Sequence, residues 1–415
     1  MRSIMGEVCD LDIVRLGSQG HGIADKASVP VFVPYTLPGE KARVEVSGER
    51  GRLLEVLSPG AERIKPICQH FTRCGGCALQ HMEQNAYLAW KRQFVVDAFS
   101  ARGIDAPVAP VIGTGLGARR RVTFTARRTG RGAILGFHVA REDEIADLHE
   151  CPVTAPEIVQ VLPGLRTLIE PLLTRRGEAR LVVTLATNGI DLAIEGVRRD
   201  LPADARERLA RDAATLKLAR VSIGADTLYQ AAEPVIRFGA GVVVPPSGAF
   251  LQAAPDAEHE MVRLVTSSMP KAKSIADLFC GLGTFAFPLA VSARVLAVDG
   301  DSQAIAALQA AAKRTKGLKP MQSKVRDLFR EPLSAKELEV FDAVVFDPPR
   351  AGAAAQAAML TQSKVATVAA VSCNPRTLAR DARLLIDGGY RLDAVTPIDQ
   401  FLFSAHIEAV AIFHR

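Results

Sequence analysis

Apolar and polar positions change their period twice along the 415 residues. Over the first 57 residues apolar side chains tend to alternate. Val29-Pro-Val-Phe-Val-Pro-Tyr35 and Lys41-Ala-Arg-Val-Glu-Val-Ser47 read as short strands, with Gly17, Gly20, Gly22 and Gly39 at the turns. This spacing predicts a small closed β-barrel of the oligonucleotide-binding kind. Ser58-Pro-Gly-Ala-Glu-Arg-Ile-Lys-Pro66 reads as a linker. A helical stretch follows from about Glu83 to Arg102, and β-branched runs come next. Arg180-Leu-Val-Val-Thr-Leu-Ala-Thr187 and Asp191-Leu-Ala-Ile-Glu195, joined by Asn188-Gly189, give a hairpin signal. From Gly248 onward, strand runs beginning at Ser274, Arg294, Phe341 and Thr367 alternate with helices. One helix, between Asp301 and Lys316, has an Asp/Ser start, apolar Ile305 and Leu308, and a stop at Gly317. The expectation is a doubly wound α/β domain with a parallel sheet at 248–415, a mixed α+β central domain at 59–247 and the barrel at 1–58. Internal repeats are not evident.

Composition narrows the class. Hydrophobic residues make up 48% and charged residues 23%, an ordinary globular balance. No apolar run approaches the roughly 18 residues of a membrane span, and the acid-interrupted first ten residues lack a signal-peptide core. A cytoplasmic protein without a membrane partner is expected. The net charge of +6 is uneven: residues 58–132 carry twelve Lys/Arg against four Asp/Glu, and the flanking regions are close to neutral. Such a segment reads either as a polyanion-binding face or as a solvated face of scattered arginines. It culminates in Arg119-Arg-Arg-Val-Thr-Phe124. On a strand, Arg119 and Arg121 would share one face, and Arg120 the other with Val122 and Phe124. Guanidinium forks suit phosphates and stack on bases.

Seven cysteines, three of them within ten residues, point to a metal or cluster rather than to disulfides. Cys68-x5-Cys74-Gly-Gly-Cys77, completed by Cys151, offers four thiolates for tetrahedral zinc or for a cubane cluster. Zinc sites more often come as two short-spaced pairs.

The second half of the chain carries the candidate chemistry. Asp277-Leu-Phe-Cys-Gly-Leu-Gly283 follows the first strand of the α/β region. Gly281 and Gly283 permit close approach of a ligand, and Asp299, at the end of the next strand, suits a ribose diol. On spacing alone a nicotinamide-dependent dehydrogenase fits as well. Asp347-Pro-Pro-Arg350 and Ser372-Cys-Asn-Pro375 sit at later strand ends. A thiol there has a use in methyl transfer to carbon. Uracil C5 is a weak nucleophile until a thiolate adds to C6, which splits one hard step into easier ones. The bland alternative for Cys373 is a buried core thiol.

Together, Asp277-Leu-Phe-Cys-Gly-Leu-Gly283, Phe346-Asp-Pro-Pro-Arg-Ala-Gly352, Val371-Ser-Cys-Asn-Pro375 and His406-Ile-Glu408 resemble the motifs of the S-adenosylmethionine-dependent RNA 5-methyluridine methyltransferases. The resemblance implies a class I methyltransferase domain with Cys373 as nucleophile and Glu408 as the base that removes the C5 proton. Asp347 would hydrogen-bond a flipped uracil beside the cofactor. Phe250-Leu-Gln252 matches the family's Phe-x-Gln element, Phe250 toward substrate and Gln252 toward cofactor or base edge, although Ala254 stands where the family usually has Asn. S-adenosylmethionine would lie on Gln252, Asp277, Phe279, Gly281, Gly283, Asp299 and Asp347, with Asp327 near the adenine. Cys68, Cys74, Cys77 and Cys151 resemble the family's [4Fe–4S] ligands, a structural rather than redox group. Arg119 and Arg121 resemble an Arg-rich RNA-binding strand, and the barrel resembles a TRAM domain. The combination is most like the branch acting on 23S ribosomal RNA, with transfer RNA second, and nothing demands more than a monomer. A non-catalytic RNA-binding factor is the reading from another class.

Overall fold

The structure, a computed structural model, describes residues 6–139, 143–175 and 177–415. The alternating N-terminal residues form a six-stranded sheet ordered Glu7–Asp12, Lys41–Ser47, Arg50–Ser58, Val29–Val33, Gly22–Lys26 and Arg15–Leu16. It curls around Leu11, Ile13, Val31, Val33, Val44 and Val46. The two outer strands of this order do not pair with each other. Instead Glu7–Asp12 lies beside Gly22–Lys26, with Lys26 Nζ donating to Glu7 Oε2 at 2.6 Å across the gap. Nor is 58–66 a free linker. Arg63 pairs with the buried Glu40, whose other oxygen also accepts from Leu37 N at 2.8 Å, and donates to Tyr35 O at 2.8 Å. The segment is clamped to the barrel.

A seven-stranded sheet follows, ordered Ile145–Asp147, Gly132–His138, Arg121–Thr129, Glu178–Ala186, Gly189–Glu195, Arg220–Ile223 and Asp226–Gln230. The Asn188-Gly189 turn lies where the sequence puts it, pairing Ala186 with Gly189. Helices Pro156–Ile169 and Ala203–Thr215 share a core with this sheet through Leu162, Leu165 and Leu209.

The third large sheet has eight strands: Met321–Val325, Arg294–Asp299, Ser274–Leu278, Ala343–Phe346, Thr367–Ser372, Glu408–His414, Arg391–Asp399 and Ile112–Gly113. Its helices divide into two apolar layers, one per face. The expected parallel sheet is in fact mixed. Glu408–His414 runs antiparallel to both neighbours, because the eight residues between Asp399 and Glu408 are too few for a crossover connection. The helix expected at 301–316 is Ser302–Arg314, with the Asp301 side chain accepting from Gln303 N and Ala304 N.

Two segments lie outside the boundaries read from the sequence. Helix Gln84–Ser100 and strand Ile112–Gly113, expected in the central domain, belong physically to the last sheet. Val95, Phe99, Ile104 and Val108 share a core with Val344, Phe346 and Leu378, and the helix packs on Pro375–Asp387. The hairpin Ile236–Phe238/Gly241–Val243, upstream of 248, likewise joins the core around Phe287 and Leu289. Periodicity shows that a helix has an apolar face but is silent on what covers it.

The junction is polar at its centre. Lys91, fully buried, donates to Asp399 Oδ1 at 2.5 Å, to His406 O at 2.7 Å and to Phe401 O at 3.3 Å. Tyr87 Oη donates to Asp399 Oδ2 at 2.6 Å and accepts from Phe403 N at 2.8 Å. Burial draws the Lys91 ammonium down to about 8, against the pull of the Asp399 carboxylate. Removing one partner of such a pair strands the other charge in a dry environment. Lys91→Met is therefore expected to lower the unfolding free energy by about 3 kcal/mol or more. Adding Asp399→Asn should recover part of that loss, as read by urea denaturation.

Candidate active site

The loop after Ser274–Leu278 turns through left-handed backbone at Phe279 (φ 59°), Gly281 (φ 50°) and Gly283 (φ 97°). A Cβ on Gly283 would come within 2.8 Å of the Phe287 ring, whereas one on Gly281 would meet nothing within 4 Å. Gly283 is thus needed for packing, and Gly281 faces open space from which a ligand can approach the backbone. Asp299 holds this turn, its Oδ2 accepting from Gly281 N and its Oδ1 from Asp301 N, both at 2.8 Å. Asp277 is completely buried, and among the described residues neither carboxylate oxygen has a hydrogen-bond partner. Burial, with the nearby charges of Asp347 and Asp299, holds its carboxyl well above the usual range. An orphaned acid beneath an open glycine turn fits a ligand carrying positive charge and a diol. Phe279 meets Phe329 with ring centroids 5.3 Å apart. Asp327 is exposed and caps its own turn through Phe329 N at 3.0 Å, so it shapes the wall that carries Phe329.

A second group gathers where strands Thr367–Ser372 and Glu408–His414 meet. Their antiparallel register pairs Ser372 with Ala409, so the next residues outward, Cys373 and Glu408, come face to face. Glu408 Oε1 accepts from Gln400 Nε2 at 2.9 Å, and Oε2 is buried without a partner. The same Gln400 Nε2 lies 2.7 Å from Gln252 Oε1, and Gln252 Nε2 donates to Asp347 Oδ2 at 2.9 Å. Gln400 Oε1 in turn accepts from Ala253 N at 2.7 Å. Two amides thus connect the two acids. Gln400 was not singled out in the sequence, and no local motif marks it. Its one signal is its place just after a strand that precedes the His-Ile-Glu motif.

The charge balance of this group is unusual. Burial, reinforced by Asp347, pushes Glu408 up to about 8. Burial pushes Asp347 up to about 7, with the Gln252 amide opposing. Cys373 is raised to about 11 by burial and by the two acids, and Arg350 pulls the other way. In the resting protein the thiol therefore keeps its proton.

One cavity of about 440 Å³ runs from Cys373, Arg350, Phe401 and His406 to Cys68, Cys74, Cys77 and Cys151. The four distal cysteines are all free thiols. Burial raises Cys74 to about 11 and Cys77 to about 12, with the neighbouring cysteines adding to it. Among the described residues, three potential ligand atoms lie within 4.8 Å of one another only at His138, Asp143 and Glu178. That trio is already neutralised by Arg127. Among the described residues, no three of these sulfurs lie within 4.8 Å of one another.

The arginines depart from expectation. The strand starts at Arg121, and Arg119 pairs outside it in an isolated bridge with Thr154, so the two do not share a strand face. Arg119 sits 5.9 Å over the Phe401 ring and lines the cavity. Arg120 is buried against Glu258 at 2.6 Å and Gln252 O at 3.1 Å. Arg121 donates to Ala249 O and Gly248 O at 2.9 and 3.1 Å, and lies 5.9 Å over Phe250. Arg120 and Arg121 thus hold the 248–252 segment in place, leaving Phe250, 70% exposed, at the rim.

Residues 244–415 match the model of a family described as tRNA (Uracil-5-)-methyltransferase, and residues 2–53 match the TRAM domain. Across 98% of the chain and 100% of the relative, the sequence is 46% identical to an uncharacterized RNA methyltransferase of Caulobacter vibrioides. It is 30% identical, over 97% of the chain and 95% of the relative, to a 23S rRNA (uracil(1939)-C(5))-methyltransferase of Vibrio vulnificus. The fold superposes, with a TM-score of 0.75, on a Pyrococcus abyssi tRNA (uracil-54, C5)-methyltransferase in complex with S-adenosyl-L-homocysteine. That match covers 98% of this chain and 100% of the other at 23% identity. No helix among the described residues is long and apolar enough to cross a membrane.

The raised carboxyl of Glu408 has a consequence for stability. Between the ordinary carboxyl value near 4.5 and about 8, the folded chain binds a proton there that the unfolded chain releases. Stability from this site is therefore present at low pH and lost as pH rises through that window. Glu408→Gln, which cannot ionise, should be more stable than the parent at pH 8.5 by on the order of 2 kcal/mol. The gain should vanish at pH 4.5, with thermal unfolding at the two pH values as the check.

Proposed function

Because the chain belongs to the uracil-5 RNA methyltransferase family, we propose that it flips a uridine out of structured RNA and methylates C5 through Cys373 and Glu408, with 23S ribosomal RNA as substrate. S-adenosylmethionine, when bound at the Gly281 turn, supplies a methyl group made electrophilic by its sulfonium. Gln252, Asp277, Phe279, Gly281, Gly283 and Asp299 would hold it. The orphaned Asp277 carboxylate and the open face of Gly281 support that assignment.

In this reading Cys373 Sγ releases its proton to solvent and adds to C6 as the thiolate, and the C5–C6 π electrons move toward the C4 carbonyl. C5 then bonds the methyl carbon as the methyl–sulfur bond breaks. Glu408, ionised once a cationic donor offsets the neighbouring acids, takes the C5 proton, the electrons of that C–H bond re-form the C5–C6 double bond, and Sγ departs as thiolate. Asp347, fixed by Gln252, is the group for the uracil edge. A resting thiol pushed up to about 11 by burial and by two acids regains part of its thiolate character when a cationic donor enters and offsets those acids. Flipping is required because C6 must meet sulfur while C5 faces the methyl. The observation that carries the reading is the register that sets Cys373 opposite Glu408 at adjoining strand ends.

Cys68, Cys74, Cys77 and Cys151 are proposed to hold a [4Fe–4S] cluster with a structural role, since methyl transfer needs no electrons. That the four free thiols line one cavity supports a shared group there. The 23S assignment rests on the full-length relative from Vibrio vulnificus and on the barrel preceding a cysteine-bearing middle region.

Cys373→Ala should abolish methylation of 23S RNA taken from a deletion strain while leaving RNA retention on filters intact. Glu408→Gln should still transfer the methyl group but accumulate a covalent protein–RNA adduct, visible by denaturing electrophoresis. Methylation by the Cys373→Ala protein would end the proposal. Activity on tRNA but not on 23S RNA would move the substrate.

A further inference from the structure

Beside the cavity that holds Cys373, a separate trough runs between the barrel and the last domain. One part, about 560 Å³, lies between the Leu16–Ser18 turn of the barrel, helix Gln84–Ser100 and the start of helix Pro375–Asp387. Its floor is aromatic. Trp90 and Phe94, one helical turn apart, lie nearly parallel, 10° between planes and 6.5 Å between centroids, and form a shelf. Its ends carry Arg102 and Arg376, both exposed and neither with a side-chain hydrogen bond or ion pair among the described residues. The acid present, Asp97, accepts from Gln93 at 2.7 Å. Through Gly17 and Ser18 the trough adjoins a second hollow of about 400 Å³ on the barrel, lined by Phe32, Arg50, His21 and Glu49. At the other end Arg376 follows Cys373 by three residues, and its N–H is held by the Asn374 cap at 3.2 Å.

A flat aromatic shelf flanked by uncommitted guanidiniums is the chemistry of single-stranded nucleic-acid binding. Bases stack on rings without regard to sequence, and the cations follow the phosphates. We infer that this trough carries the unpaired RNA strand flanking the target uridine, with one base stacked on Trp90 and phosphates on Arg102 and Arg376. The inference rests on the proposed RNA methylation. It adds the path of the strand, from the barrel across helix 84–100 to the loop that bears the thiol. Arg120 and Arg121 do not supply that path, because Glu258 and the carbonyls of residues 248–252 hold their guanidiniums.

Trp90 is the sole tryptophan in the chain, so it reports on itself. Titrating the full-length protein with a 23S fragment that it methylates should quench tryptophan emission, saturating at the RNA concentration that saturates filter retention. Trp90→Ala should raise KM for RNA on the order of tenfold with kcat kept. Trp90 also packs on the core near Tyr87, so Arg102→Gln/Arg376→Gln provides a second arm. It should reduce the slope of log affinity against log salt by about 1.4, two phosphates on a single strand. RNA that binds and is methylated with unchanged emission and an unchanged salt slope would overturn the trough and leave the methyltransferase standing. Quenching by whole ribosomal particles but not by naked RNA would give the trough to a protein and overturn it too. Failure of every RNA to be methylated would remove the reading beneath it.

Discussion

An acid at the start of one strand can meet a thiol at the end of another only if the two strands run in opposite directions. The whole site depends on this. Glu408 opens its strand and Cys373 follows the close of its neighbour. In an all-parallel sheet they would lie at opposite edges, about five residues or some 17 Å apart. The short connection from Asp399 to Glu408 forces the reversal, and the same connection carries Phe401, Ser404 and His406 to the cavity wall and Gln400 against Glu408. Lys91 then fixes that connection from outside, by binding two of its carbonyls and the carboxylate that precedes it. Topology, loop and buried cation act as one device.

The electrostatics follow from the same geometry. Asp277, Asp347 and Glu408 converge on one region with few cations to offset them, and each carboxyl is raised above its ordinary value. Grouping acids in this way costs stability at neutral pH and prepares the site for a positively charged occupant. Gln252 and Gln400 serve as neutral spacers, each amide giving its N–H to one side and its carbonyl to the other. A charged residue at either position would add to the like-charge repulsion.

Much of this was legible in the chain. Asn188-Gly189 fixed a hairpin, Asp301 began a helix, and four motifs together marked the family. The cysteines read as a group do line one cavity. The failures share a cause. Helix 84–100 was legible as a helix but its partner was not, because residues some 300 positions away supply the cover. The Arg119–Arg121 run was read as one strand with Arg119 and Arg121 on a shared face, whereas the strand begins only at Arg121. In the fold, backbone carbonyls and Glu258 claim Arg120 and Arg121. Gln400 carries no pattern at all, since a lone amide becomes informative only when two acids and a second amide are in place around it.

The union of helix 84–100 with the far end of the chain also sets a schedule for synthesis. Lys91 leaves the ribosome 308 residues before Asp399, a delay of roughly 15–60 s at bacterial elongation rates. Through that interval Tyr87, Val95 and Phe99 have no cover, and the neighbouring cysteine segment has no fixed wall behind it. The middle of this protein therefore matures last although it is made early, and the nascent chain must be guarded until translation ends.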